Sequence, residues 1–163
     1  MNRFVFRMTS VAAAAILLGA GNSSKSPLTV RANVVADCAV QSPQSIDFGT
    51  YNPGSNSTVD ATVDALQITC TKGSPGVTIG LDNGQYYSGG HRSMRSGGGS
   101  GAVYYEIYTA SSRNVIWNRT QTVTYTAVNK QPAKITLYGR VLGSTTSPGP
   151  GDYSDTLTAL VNF

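Results

Sequence analysis

Apolar residues in this chain recur at every second position, and that period decides what the chain can fold into. Leu28, Val30, Ala32 and Val34 alternate with Thr29, Arg31 and Asn33. Successive side chains of an extended segment point to opposite faces, so a period of two gives it one apolar and one polar face. Further segments of this kind cover residues 45–48, 65–71, 76–81, 102–109, 115–117, 121–127, 133–142 and 153–163, rich in Val, Ile, Thr and Tyr. Turn chemistry separates them, as at Asn52-Pro53-Gly54, Ser74-Pro75-Gly76, Asp82-Asn83-Gly84 and Pro148-Gly149-Pro150-Gly151. Past the N-terminal apolar run, no window of ten or more residues carries an apolar stripe of helical period. Many short strands punctuated this way predict an all-β sandwich.

Residues 1–21 read as a secretory signal peptide. Arg3 and Arg7 make a basic start, residues 11–18 an apolar run, and Gly19-Ala20-Gly21 a small-residue cleavage region. That run is shorter than the roughly 20 residues a spanning helix needs. No other stretch approaches it, so no integral membrane segment is expected in the mature chain. Removing the leader leaves 142 residues, one domain's worth of chain. The leader's two arginines supply half of the net charge of +4. The remaining charges are scattered without a basic stripe, so nucleic acid is not an expected partner.

Export places Cys38 and Cys70 in an oxidising compartment, where a pair becomes a disulfide. The ring encloses 31 residues, and loop entropy values it at about 3.5–4 kcal/mol. His91 is the sole histidine, so the two cysteines cannot close a structural zinc site. Nucleophilic catalysis needs a base beside its nucleophile. His91 instead lies in a Gly/Ser-rich stretch, residues 84–101, that reads as a surface loop with a solvated histidine. The stretch also lacks the GxxxxGK[ST] spacing of a phosphate cradle. Asp152 and Asp155 flank a turn, where they are expected to accept from its amides. The chain is therefore expected to be no enzyme and to hold no cofactor and no metal.

The final alternating segment places Leu157, Ala159, Val161 and Phe163 on one face and Thr156, Thr158 and Asn162 on the other, with Leu160 breaking the pattern. Two arrangements satisfy this. Both terminal segments can pair within one closed domain. Alternatively, the last strand keeps an uncovered edge, which the alternating N-terminal segment of an identical neighbour covers by strand addition. The pattern alone does not choose.

A series of short motifs runs along the chain: Asp37-Cys38-Ala39-Val40, Ile46-Asp47-Phe48-Gly49-Thr50-Tyr51 and Ile68-Thr69-Cys70-Thr71. They are followed by Val77-Thr78-Ile79-Gly80-Leu81-Asp82-Asn83-Gly84, Arg92-Ser93-Met94 and Tyr104-Tyr105-Glu106-Ile107-Tyr108. The end carries Leu137-Tyr138-Gly139-Arg140-Val141, then Gly151-Asp152-Tyr153-Ser154-Asp155-Thr156-Leu157 running to Val161-Asn162-Phe163. In order and spacing this series resembles the spore coat protein U domain over nearly all of residues 28–163. That family includes major subunits of archaic (Csu-type) chaperone–usher pili.

The resemblance implies an immunoglobulin-like sandwich lacking its last strand and completed by donor-strand complementation. A periplasmic chaperone would lend a strand, and at an outer-membrane usher the next subunit's N-terminal strand would replace it. Carried over, residues 22–34 form the donor segment, with Leu28, Val30, Ala32 and Val34 as its anchors, and residues 35–163 form the domain. Cys38 and Cys70 would link the first two strands. Leu157, Ala159, Val161 and Phe163 would line the acceptor groove and meet the chaperone.

The expected role is a structural subunit of a surface fibre of a Gram-negative bacterium, supporting adhesion or biofilm formation. Such a subunit passes through the periplasm, and its partners are identical or related subunits, the chaperone and the usher. The alternatives are a spore-coat or surface-layer protein and a secreted carbohydrate-binding adhesin module using Tyr86 and Tyr87. Trp117 is an expected core anchor. Tyr153 is either a tyrosine corner opening the last strand or an ordinary core tyrosine.

Overall fold

The computed structural model describes residues 25–55, 57–97, 101–143 and 147–163; the leader expected over residues 1–21 lies outside them. The chain divides into two compact units, residues 1–33 and 34–163. Residues 25–33 of the first unit are exposed and form no strand. The alternation over residues 28–34 thus meets no strand here, and Leu28, Val30 and Val34 are 88%, 85% and 79% exposed. An alternating pattern becomes a strand only when a neighbouring backbone takes up its amides and carbonyls, and among the described residues none does.

Among its described residues the second unit carries eight strands: β1 (Cys38–Gln41), β2 (Val59–Cys70), β3 (Val77–Leu81), β4 (Arg92–Met94), β5 (Val103–Tyr108), β6 (Val123–Tyr125), β7 (Ala133–Val141) and β8 (Ala159–Asn162). A 3-10 turn, Pro53–Ser55, precedes β2. One sheet has the order β1-β2-β7-β5-β4 and the other β6-β3-β8, and every pairing is antiparallel. The core holds Ile68 of β2, Val77, Ile79 and Leu81 of β3, Ile107 of β5 and Val141 of β7, all at most 2% exposed. Trp117 is fully buried there and donates its indole Nε1–H to the Ile79 carbonyl at 2.7 Å. This pairing matters because an unpartnered indole N–H would cost part of what the ring's burial contributes.

β2 shows how the sequence sets register. Val59, Ala61 and Val63 face inward, then Leu66, Ile68 and Cys70 do so, a slip from odd to even positions. The ladder to β7 absorbs the slip with one extra residue between Val63 and Leu66, a bulge that keeps both apolar sets on the core face. Asp64, at the bulge, accepts from the Thr136 hydroxyl at 2.7 Å. Cys38 and Cys70 stand opposite each other in the β1–β2 ladder and are disulfide-bonded.

Several predicted strands change: β2 starts six residues early, at Val59, and β6 shortens from residues 121–127 to Val123–Tyr125. Residues 45–48 form none, although Ile46 and Phe48 pack against the core. Residues 115–117 contribute only a bridge from Ile116 to Tyr108. The last strand shortens to Ala159–Asn162, while Ser154 makes a separate bridge to Arg95. Conversely, β4 forms inside the stretch read as a loop.

Candidate functional site

The two sheets each leave one strand edge open on the same side of the molecule. Among the described residues β1 pairs only with β2, and β8 only with β3. β1 and β8 come within 8 Å, Cα to Cα, yet share no ladder. A strand edge without a neighbour presents a row of unpaired amides and carbonyls, a template for another strand.

Beyond β1 the gap widens into a groove. Residues 42–53 form one bank and residues 148–159 the other. Its first cavity, about 820 Å³, is bordered by Ile46, Phe48, Tyr51, Met94, Val103 and Tyr153. Its second, about 600 Å³, is floored by Leu66, Leu81, Tyr105 and Leu137 and bordered by Leu157 and Ala159. These side chains belong to the core cluster or pack against it, so the groove is an opening into the apolar interior.

Glycine builds the first bank. A Cβ at Gly139 of β7 would lie 2.5 Å from Ile46 Cδ1 and 2.7 Å from Phe48 Cζ, distances no side chain tolerates. The bare backbone at 139 is what allows Ile46 and Phe48 to lie down on the sheet.

The second bank is hung by carboxylates where strand pairing stops. Asp82 Oδ1 accepts from the amides of Gly84 at 3.0 Å and Thr158 at 2.9 Å, and the Asp82 amide donates to the Thr158 carbonyl at 3.0 Å. Burial would raise the Asp82 pKa, but these amide hydrogen bonds outweigh it and hold the carboxyl below its ordinary value. Asp155 Oδ1 accepts from the Gln85 and Thr156 amides, each at 2.8 Å, and Oδ2 from the Tyr105 hydroxyl at 2.7 Å. Burial, then that hydrogen bond, pushes the Tyr105 hydroxyl pKa well up, so it stays a neutral donor. Tyr153 donates its hydroxyl to the Gly149 carbonyl four residues upstream at 2.9 Å, the geometry of a tyrosine corner.

Beneath the Asp82 turn lies a buried ion pair. Arg92 and Glu106 are 1% and 3% exposed, with Nη1 and Oε2 3.1 Å apart. The remaining guanidinium donors reach the Asp82 carbonyl, at 3.0 Å from Nε and 2.6 Å from Nη2, and the Trp117 carbonyl at 2.7 Å. His91 Nδ1 sits 3.2 Å from Glu106 Oε1. His91 therefore has a partner on one side, while its side chain stays 44% exposed to solvent.

Of the residues singled out in the sequence, Leu157 and Ala159 line the second cavity. Val161 packs against the core and pairs with Ile79. Phe163 is 55% exposed and borders neither cavity. The opposite bank, Ile46 and Phe48, and the floor, Leu66 and Leu137, were not anticipated; the alternation of Ile46 with Phe48 and the small residue at 139 are the signals that point to them. Among the described residues no group of three His, Cys, Asp or Glu side chains could hold a metal ion, and no helix is long and apolar enough to cross a membrane.

Comparison with known proteins places this fold. A chain of the crystal structure of the CsuC–CsuE chaperone–tip adhesion subunit pre-assembly complex, from the archaic chaperone–usher Csu pili of Acinetobacter baumannii, aligns with 80% of this chain at 23% identity and a TM-score of 0.54. This chain spans 40% of that chain's length. The rod subunit PapA of the P pilus aligns with 84% of this chain, and 99% of its own, at 18% identity and a TM-score of 0.48. No curated protein matches. The likeness to the first structure shows the fold, an immunoglobulin-like sandwich. The Spore Coat Protein U domain family matches residues 24–160, and the chain belongs to that family.

Proposed function

We propose that this chain is a structural subunit of a surface fibre assembled by a chaperone–usher pathway, and that its groove accepts a strand from another copy. The observation that carries this reading is the pairing of two features in one chain. A groove with an apolar floor opens beyond the unpaired edges of β1 and β8, between residues 42–53 and 148–159, and an alternating segment leaves Leu28, Val30 and Val34 exposed. Residues 1–21 are then the export signal, residues 22–34 the donor segment and residues 35–163 the acceptor domain; the compact unit starting at Val34 supports that division.

Family membership supports the reading, and so does the chaperone-bound state of the Csu tip adhesion subunit. In this chain a periplasmic chaperone would cover the groove during transit, and exchange for the next subunit's segment would take place at an outer-membrane usher. Adhesion or biofilm formation at the cell surface is the role such a fibre serves.

The energetics favour a polymer. Burying Leu28, Val30 and Val34 at about 1.5–3 kcal/mol each gives on the order of 5–9 kcal/mol before the cost of ordering the segment. A small domain has only about 5–15 kcal/mol of net stability. The groove is thus a large liability for an isolated subunit and a strong joint once filled.

The test is the size distribution of exported protein made with and without a chaperone–usher pair. The expected result is a one-to-one complex with the chaperone and, with the usher present, a ladder that resists detergent until boiled. Deleting residues 22–34 should abolish the ladder and spare the chaperone complex. A purified full-length monomer that stays folded and solitary defeats the proposal. Electron microscopy of the cell surface separates a fibre from a coat layer.

A further inference from the structure

Asn83 is the only asparagine in the chain that a glycine follows. That pairing carries a chemistry of its own. The backbone nitrogen of the following residue can attack the asparagine side-chain carbonyl carbon, and glycine, having no side chain, leaves the approach open. The new carbon–nitrogen bond closes a succinimide ring. The side-chain nitrogen departs as ammonia and takes the backbone amide proton with it. Water, the one co-reactant, then opens the ring on either side and gives aspartate or isoaspartate.

The fold sets a guard on this reaction. Asn83 is exposed, so its side chain is open to water. The nucleophile is held. The Gly84 amide donates to Asp82 Oδ1 at 3.0 Å, and the same oxygen takes the Thr158 amide at 2.9 Å. An N–H that donates to a carboxylate keeps its proton more firmly, and the nitrogen must lose that proton to attack. Gly84 is also closely packed. A Cβ there would run into Asp155 Oδ2 and lie 3.1 Å from Leu157 Cδ2.

We infer that Asn83 is a deamidation site, guarded in the folded chain by the hydrogen bond from Gly84 to Asp82. The site reacts when that bond opens, and its product keeps the second bank from closing again. Isoaspartate adds one methylene to the main chain at residue 83. The added length displaces the Gln85 amide from Asp155 Oδ1, where it donates at 2.8 Å, and moves Gly84 off its seat. The new carboxylate follows Asp82 in the chain, with Asp155 packed on the next residue, and like charges repel. A local opening of this turn thereby becomes a permanent mark.

Peptide mapping by mass spectrometry tests this. The full-length exported chain is held at mildly alkaline pH, once folded and once in urea, and conversion at residue 83 is followed with time. The folded chain should convert about tenfold more slowly or less, the weight of one hydrogen bond to a charged group. Equal rates overturn the guard, and no conversion in urea overturns the site. Asp82→Asn, kept folded by circular dichroism, should close most of the gap. Asp155→Asn loosens the same bank but leaves the Gly84 amide on Asp82, so it should convert at close to the wild-type rate. If it converts as fast as Asp82→Asn, general loosening controls the site and the inference fails. Should Asp82→Asn not fold, hydrogen exchange at the wild-type Gly84 amide decides: slow exchange supports the guard, and exchange as fast as in urea overturns it.

Discussion

Phe48 rests on Gly139, and the contact is so close that a single added methyl group at 139 would meet the ring at 2.7 Å. The sequence places a glycine in the middle of β7, where glycine ordinarily weakens a strand, because a bank of the groove must lie there. Gly139→Ala should therefore lift residues 46–48 from the sheet. The expected loss is about 1–3 kcal/mol, the usual cost of overpacking, read as a lower urea midpoint of the chaperone-free subunit. An unchanged midpoint would mean that this bank does not depend on the bare backbone.

The Arg92–Glu106 pair makes a second prediction. Both side chains are almost wholly buried, and Arg92 also holds the carbonyls of Asp82 and Trp117. Glu106→Gln leaves a buried guanidinium without its counter-charge, which costs about 3–5 kcal/mol. Replacing both, Arg92→Met with Glu106→Leu, removes the unpaired charge and should recover much of that loss. Chemical denaturation of the wild type and the two variants measures it; a double variant no better than the single one would show that the guanidinium's carbonyl contacts outweigh its charge.

How far the sequence revealed these features depended on apolar pattern. β3, β5 and β7 lie within one residue or so of their predicted ends because their apolar residues are dense and regular. The first six residues of β2 escaped because the bulge at Asp64 breaks the alternation. β4 escaped because Arg92 and Ser93 look like loop residues; the burial of Arg92 depends on Glu106, fourteen positions away, which no local window contains. Ile46 and Phe48 alternate like a strand yet form none, since their backbone has no partner. The groove was legible only on the side of Leu157 and Ala159, because its other bank is defined by contact with Gly139.

Acid should loosen the second bank. Against the effect of burial, amide hydrogen bonds from Thr158 and Gly84 hold the Asp82 carboxyl below 3.8, and a hydrogen bond from Arg140 does the same for Asp60. A carboxyl whose folded pKa is depressed contributes stability above its unfolded pKa and loses it as pH falls through the folded value. The melting temperature should hold steady, as far as these groups are concerned, from pH 7 to about 5 and decline below about pH 4. Asp82→Asn should lower it at neutral pH and flatten the acid decline. Asp60→Asn should do less, since that pair is exposed to solvent. Parallel acid profiles for wild type and Asp82→Asn would exclude Asp82 as a contributor.

The disulfide acts on the groove through β1. That strand is four residues long and pairs on one side only, and the chain leaving it becomes the first bank. The bridge from Cys38 to Cys70 fixes the far end of this short ladder, so it anchors the bank as well as shortening the unfolded chain's free loop. The double variant Cys38→Ser, Cys70→Ser should lose about 3.5–4 kcal/mol by loop entropy and export poorly. If strand exchange operates as proposed, the loss should shrink in the polymer, because a strand seated against β1 would supply a second ladder and restrain the same bank. Urea midpoints of the chaperone-free subunit and of the assembled polymer, each compared with the cysteine-containing form, measure the two effects separately. An equal loss in both states would show that the bridge acts on the unfolded chain alone and leaves the groove untouched.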